Sequence, residues 1–362
     1  MSLLKIQNPR KAKMARNKVL QNKKACRHLP TGFFVPLYFL AVMLGFSSCD
    51  SVGSTGGAAG HIMPNVNGTA GEVLVVMDDY SWEHEAGEII QDILKEEIVG
   101  LPQSEPLFDV IQITPGSFQN AFQFHRSIVL TTVGSGKEAK ISFRENVWAK
   151  PQIVVQMQAS SAEALRDLIR EQESRLQAFL VQYDRKRQIE NYQKTKDEGI
   201  QNLMTKHHQI KLAIPRGYNL DFSKDEYSSV SIESSELSQV IQVYDYPVAG
   251  PEDLSTEKLI EKRNEMTQKY VIGPREGSYM RISGLFPPVA YDLVIDGLQV
   301  VELRGLWELE NGYMGGPFIS HAMYDAARGR IVVVDGYIYY PNQKKRVKLK
   351  QLEAIVYSTE LI

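Results

Sequence analysis

Hydrophobic residues first gather at positions 33–46, where no charge interrupts the run, behind a segment holding nine Lys or Arg and no Asp or Glu. A basic stretch followed by an apolar core of this length is the pattern of a secretory signal. The run contains Pro36, closes on Ser47 and Ser48, and falls short of the about 20 apolar residues of a spanning helix. Residues 1–48 therefore read as a removable signal. Residues 49–71, rich in Ser, Gly, Ala, Thr and Asn, read as a flexible linker.

Beyond the linker the period changes repeatedly. Residues 73–77 form a continuous apolar run, expected as a buried strand, and residues 85–98 carry Ile89, Ile90, Ile93 and Leu94 at helical spacing. Short strands are expected at 108–113, 128–133, 141–143 and 153–157. Ser160, with Glu163 three positions on, opens a helix whose stripe of Leu165, Leu168, Ile169, Leu176, Phe179, Leu180 and Tyr183 then thins into charge. A helix of more than forty residues is unusual in a globular domain, so a kink or exposed extension is expected near Gly199, with the domain boundary there.

The second half reads as strands at 210–214, 230–232, 240–244, 279–282, 291–295, 298–303, 319–324 and 331–340. Asp296-Gly297 makes a hairpin turn, and helices are expected at 256–270 behind Ser255 and at 349–357. The pattern predicts an α+β chain of two domains, 72–206 and 207–362, each a largely antiparallel sheet with helices packed on it, joined by a long helix.

Charge and cysteine content sharpen this picture. The chain has 41 Lys plus Arg against 43 Asp plus Glu, and removing 1–48 leaves 32 basic residues, a balance of about −11. Such a body offers no clustered positive footprint for nucleic acid. The one basic run, Lys344, Lys345, Arg346, Lys348 and Lys350, reads as a solvated face. Of two cysteines, Cys26 lies inside the signal, leaving Cys49 without a disulfide partner.

The ending Ser47-Ser48-Cys49 resembles the lipobox of bacterial lipoproteins, with Phe46 where Leu is usual, a variant of the Bacteroidetes type. The resemblance implies acylation at Cys49, attachment to a membrane and a place in the cell envelope. Lacking a dense acidic cluster after Cys49, the chain is expected on the outer membrane facing the periplasm, with surface exposure as the alternative. Further on, Ile214-Pro-Arg-Gly-Tyr218, Ile272-Gly-Pro-Arg-Glu276, Arg304-Gly-Leu-Trp307, Met314-Gly-Gly-Pro-Phe318, Asp335-Gly-Tyr-Ile-Tyr339 and Leu352-Glu-Ala-Ile355 resemble an uncharacterised Bacteroidetes lipoprotein family, domain-of-unknown-function family 4837, over nearly all of the mature chain. The C-terminal half also resembles PsbP/Mog1-type domains, which bind partners and are not enzymes.

No catalytic set stands out. The seven histidines, at 28, 61, 84, 125, 207, 208 and 321, include no His-Glu-x-x-His pair, and no Gly-x-Ser-x-Gly elbow occurs. Trp82-Glu-His-Glu85 reads as a solvated helix start and Gly134-Ser-Gly136-Lys137 as a turn between strands. No cofactor or metal is expected. Arg304, Trp307, Tyr313, Gly315, Gly316 and Phe318, with Tyr337 and Tyr339, bring together the residue types of binding hot spots. Two readings stand for them, a partner-binding surface and a tight loop that packs Trp307 and Phe318 into the core. The expected function is a non-enzymatic envelope lipoprotein that binds a protein or envelope component. A hydrolase with carboxylates assembled by the fold, or a carrier of a small apolar ligand, are the alternatives. Convergent ionisable groups in a deep pocket favour the first of these, and an enclosed apolar cavity between the halves the second.

Overall fold

The computed structural model describes residues 63–362 and the backbone of the two-residue strand β1 (Lys5–Ile6). The N-terminal lobe begins with β2 (Glu72–Val76), followed by a short turn of helix α1 (Asp79–Trp82) and by α2 (Glu85–Lys95). Four more strands follow: β3 (Asp109–Ile113), β4 (Ser127–Val133), β5 (Lys140–Glu145) and β6 (Ile153–Ala159). They form one sheet in the order β3-β2-β4-β6-β5.

That sheet departs from the expected antiparallel pattern. β3, β2, β4 and β6 run parallel, and only β5 pairs antiparallel, at the edge against β6. The continuous apolar run at 73–77 follows from this placement, because a central parallel strand is covered on both faces. Val73, Val75 and Met77 face a core formed with α2 and two further helices, whereas Leu74 and Val76 face a smaller cluster closed by Phe118 and Trp148.

The long helical signal is two helices, α3 (Ala162–Glu171) and α4 (Glu173–Thr195), and a third, α5 (Glu198–His208), begins beyond a break at Lys196–Asp197, close to Gly199. Ser161 rather than Ser160 caps α3, its side chain accepting from Ala164 N. Asp197 caps α5 in the same way through Ile200 N.

The C-terminal lobe contains β7 (Ile210–Lys211), β8 (Asn219–Lys224), β9 (Tyr227–Glu233), β10 (Ser238–Pro247), α6 (Thr256–Tyr270), β11 (Val271–Ile272), β12 (Tyr279–Ile282), β13 (Val289–Ile295), β14 (Leu298–Glu310), β15 (Gly315–Asp325), β16 (Arg330–Tyr339), α7 (Arg346–Tyr357) and β17 (Glu360–Leu361). Its large sheet runs β1-β11-β12-β14-β15-β16-β10-β9-β8, with β13 on β14. All its named strand pairs are antiparallel. Helix α6 covers one face, with Leu259, Met266 and Tyr270 in a core shared with Trp307, Phe318 and Tyr337. Helices α5 and α7 cover the other, through Met204, Leu349, Leu352 and Ile355. The α+β class expected from the sequence is the class of the fold.

The two lobes share packing. Ile98, Leu101 and Leu107, on the connection that follows α2, join the core beneath α7. A Cβ on Gly100 would stand 3.1 Å from the Gly305 nitrogen, so this connection lies directly against β14. Glu105 is buried, and its two carboxylate oxygens accept from the backbone nitrogens of Lys345 at 2.6 Å and Arg346 at 3.1 Å. A carboxylate from the first lobe thus caps the first turn of α7, where a negative charge is stabilised by the exposed N–H groups.

The basic run at 344–350 is correspondingly a solvated face only in part: Lys344 is exposed, but Lys345, Arg346 and Lys350 after it turn inward. Lys345 and Arg346 are buried, Arg346 donates to Pro106 O and pairs with Asp109, and Lys350 donates to Leu107 O at 2.8 Å. Burial pushes the Lys350 ammonium below its ordinary value against the pull of Asp184 and Glu353. Among the described residues, no helix is long and apolar enough to cross a membrane.

Candidate functional site

The aromatic cluster expected as a binding surface divides, and most of it is core. Trp307 is 1% exposed; its Nε1 donates to Ile338 O at 3.1 Å, and its ring meets Tyr337 edge-on with centroids 5.7 Å apart. Phe318 and Tyr337 are fully buried, and the Arg263 guanidinium lies 3.7 Å over the Phe318 ring. The strand register explains this, because Trp307 stands opposite Gly316 and Phe318 opposite Tyr337. A Cβ on Gly316 would come within 2.0 Å of Ile338 O, and one on Gly315 within 2.8 Å of Trp307 O. The glycine pair serves close approach within the sheet, not approach by a partner.

Arg304 is tied to Glu302 and Glu353, Tyr339 is half-buried, and of the candidate side chains Tyr313 alone, 70% exposed beside Arg275, stands in solvent as the surface reading required, next to the exposed backbone of Gly315. Cys49, the expected acylation site, lies outside the described residues. His84 precedes α2 and stacks on Tyr80, and Gly134 to Lys137 is the turn from β4 to β5, both as read from the sequence.

Sequence reasoning missed three buried polar networks. In the first, Arg263 of α6 holds Asp335 of β16 through Nε at 2.7 Å, while Gln242 donates to the same carboxylate at 2.7 Å and accepts from Tyr227. In the second, His208 Nδ1 meets Asp245 Oδ2 at 2.7 Å and its Nε2 meets Ser228 Oγ at 2.8 Å. The connectivity is that of a Ser-His-Asp relay. The setting is not, because His208 and Ser228 are fully buried, Ser228 bonds Ser223, and Arg330 ties Asp245 to the His208 carbonyl. The network fastens the end of α5 to the sheet, and no substrate reaches the hydroxyl.

The third network reaches a cavity. Glu302 of β14 and His321 of β15 are register partners, with His321 Nε2 2.8 Å from Glu302 Oε2. Arg304, Glu353 and Arg185 extend the chain of charge to α7 and α4. Burial works to raise the Glu302 carboxyl, but the His321 bond and the Arg304 guanidinium outweigh it and hold it well below the usual carboxylate range. Burial lowers His321, with Glu302 opposing only in part, so the imidazole is neutral at pH 7. The cavity, about 280 Å³, lies between the β13–β14 turn, β15 and the segment after α7. The pairing was recoverable once a β14–β15 hairpin turning on residues 310–313 is drawn, since it sets Glu302 opposite His321.

Beside this cavity the sheet is open. β13 pairs with β14 across Asp296 and Gly297, both at positive φ, and among the described residues its other edge pairs with nothing. Leu285 is 81% exposed, Val294 77%, and Phe286, Val289 and Tyr291 are also exposed. An unpaired edge of this kind is ordinarily guarded by Lys, Pro or a bulge. Within β13 the sole charge is Asp292.

Fold and site define a two-lobed α+β protein with an exposed apolar sheet edge. Residues 197–358 match the family model described as Domain of unknown function (DUF4837), the family that the motifs between Ile214 and Ile355 resemble. Residues 66–193 match a different one, Domain of unknown function (DUF8532), so the likeness to the first stops short of the N-terminal lobe. No curated protein matches the chain. Among solved structures, the Saccharomyces cerevisiae Ran-binding protein Mog1p is similar at 13% identity and a TM-score of 0.30, covering 42% of this chain and 90% of its own. A mutant of protein Mog1 is similar at 13% identity and a TM-score of 0.29, covering 42% and 91%. At those scores the likeness carries no function across.

Proposed function

We propose that this chain is a lipid-anchored protein of the cell envelope, attached through Cys49 to the outer membrane on its periplasmic side, and that it binds a protein partner along β13. The observation that carries the binding reading is the exposed apolar run from Leu285 to Val294, which leads into and along β13, a strand whose outer edge pairs with no other among the described residues. Contiguous exposed apolar surface marks interaction sites, and an open edge accepts an extended segment by adding a strand. The partner therefore presents an extended apolar segment. The buried Ser228 relay supplies no nucleophile to a substrate, because its hydroxyl is sealed.

A photocrosslinking amino acid at Val294, in the native cell, should yield one adduct of discrete size that disappears with Phe286→Asp. The same label at the exposed Lys344 should yield none. Equal capture at both positions, or none at Val294, removes the docking reading. The anchor is tested separately. Fatty-acid labelling should vanish in Cys49→Ala, and label that persists there overturns acylation at this residue.

A further inference from the structure

The cavity beneath the β13–β14 turn holds a pattern that docking along β13 does not use. Its wall is largely apolar, from Leu298, Val300, Met323, Val356 and Leu361, and His321 enters it with the Tyr357 ring edge-on at 4.5 Å. His321 is 1% exposed. Its Nε2 faces the Glu302 carboxylate, an acceptor only, so that nitrogen carries the proton and Nδ1 keeps its lone pair. Nδ1 makes no hydrogen bond among the described residues. An imidazole fixed in one tautomer by a buried carboxylate, with its remaining acceptor beside an apolar cavity, is a recognition element.

We propose that this cavity binds a small apolar molecule bearing one hydroxyl group, which donates its hydrogen bond to His321 Nδ1. The chemistry excludes the nearest competitors. A carboxylate offers Nδ1 only lone pairs and meets Asp296 and Glu360 at the rim. An ammonium would shed its hydration for one neutral acceptor while Arg185 lies over the adjacent Tyr357 ring at 3.5 Å. A plain hydrocarbon fills the volume and leaves the acceptor unmet, whereas a hydroxyl satisfies both. At about 280 Å³ the space lies at the small end of ligand sites, which limits the body to a single ring or a short chain.

The test is calorimetric titration of the whole mature chain with 4-ethylphenol, ethylbenzene and 4-ethylbenzoate. The phenol should bind roughly tenfold more tightly than the hydrocarbon, the scale of one neutral hydrogen bond, and the carboxylate should be weakest. His321→Gln should erase the preference for the phenol, because its amide keeps an N–H for Glu302 and has no lone pair at the Nδ1 position. Leu298→Trp, at the half-buried rim, should fill the space and weaken phenol and hydrocarbon alike, and it keeps the test open should His321→Gln misfold. Equal binding of phenol and hydrocarbon, tightest binding of the benzoate, or no saturable binding overturns the proposal. Phe286→Asp, which blocks docking along β13, should leave phenol binding unchanged, so the two readings fail separately.

Discussion

Trp307 shows what a residue type can and cannot say. Trp, Tyr, Phe and Arg are enriched at binding hot spots because they bury large areas at low entropic cost, and the same property fills cores. Composition around 304–318 therefore suited both readings, and the β14–β15 register chose between them. Trp307→Ala is expected to destabilise the fold by about 3–5 kcal/mol, the range for emptying a large buried aromatic site, with its indole bond to Ile338 lost as well. Urea denaturation measures this, and a variant with wild-type stability would return Trp307 to the surface. The glycines beside it were legible as places of close approach, but whether the approaching backbone belongs to the same sheet is a tertiary fact.

At the scale of elements, helices with a capping residue and a single apolar stripe were readable. The bounds of α6, Thr256–Tyr270, fall where the spacing of Leu259 and Met266 puts them, although Ser255 at the N-cap position makes no side-chain cap hydrogen bond. Strand direction was not readable in the first lobe. Short apolar runs at 128–133, 141–143 and 153–157 look like a meander, but β5 lies at the edge and β6 inserts beside β4, an arrangement that no local periodicity records. β8 was missed because Leu220 and Phe222 are its only apolar residues.

Cross-strand pairing also sets a pH dependence. His321 is held below its ordinary 6.5 and Glu302 below its ordinary 4.5, so in both cases the unfolded chain takes up protons first on acidification. Their contribution to stability is complete above about pH 6.5 and is lost as pH falls, first through His321 and then through Glu302. Denaturation between pH about 7 and about 5 should show that decline, with a shallower slope in His321→Gln. Some slope should persist, because burial also lowers His125. A slope unchanged by the substitution would detach the imidazole from the effect.

Across the whole molecule, the two lobes were legible as a change of pattern near Gly199, but their joining was not. Glu105, Lys345 and Arg346 lie some 240 positions apart in the chain, and nothing local to either segment announces the cap. Glu105→Ala should lower stability by about 1–3 kcal/mol, since it removes a buried cap and leaves two helix N–H groups without partners. Calorimetry should find one transition in the wild type, and a lower, broader or split one in the variant. An unchanged melting profile would mean that the lobes hold together without this carboxylate.

The position of α7 bears on how the protein is made. Synthesis runs from the N-terminus, so the first lobe is complete while the helix that covers Ile98, Leu101 and Leu107 has still to emerge. Until that helix arrives, this connection and the sheet face beside it are sticky and uncovered, and a chaperone that grips them holds the nascent chain before its lobes are joined. A ribosome stalled before codon 346 would release a chain with a finished first sheet and no way to close.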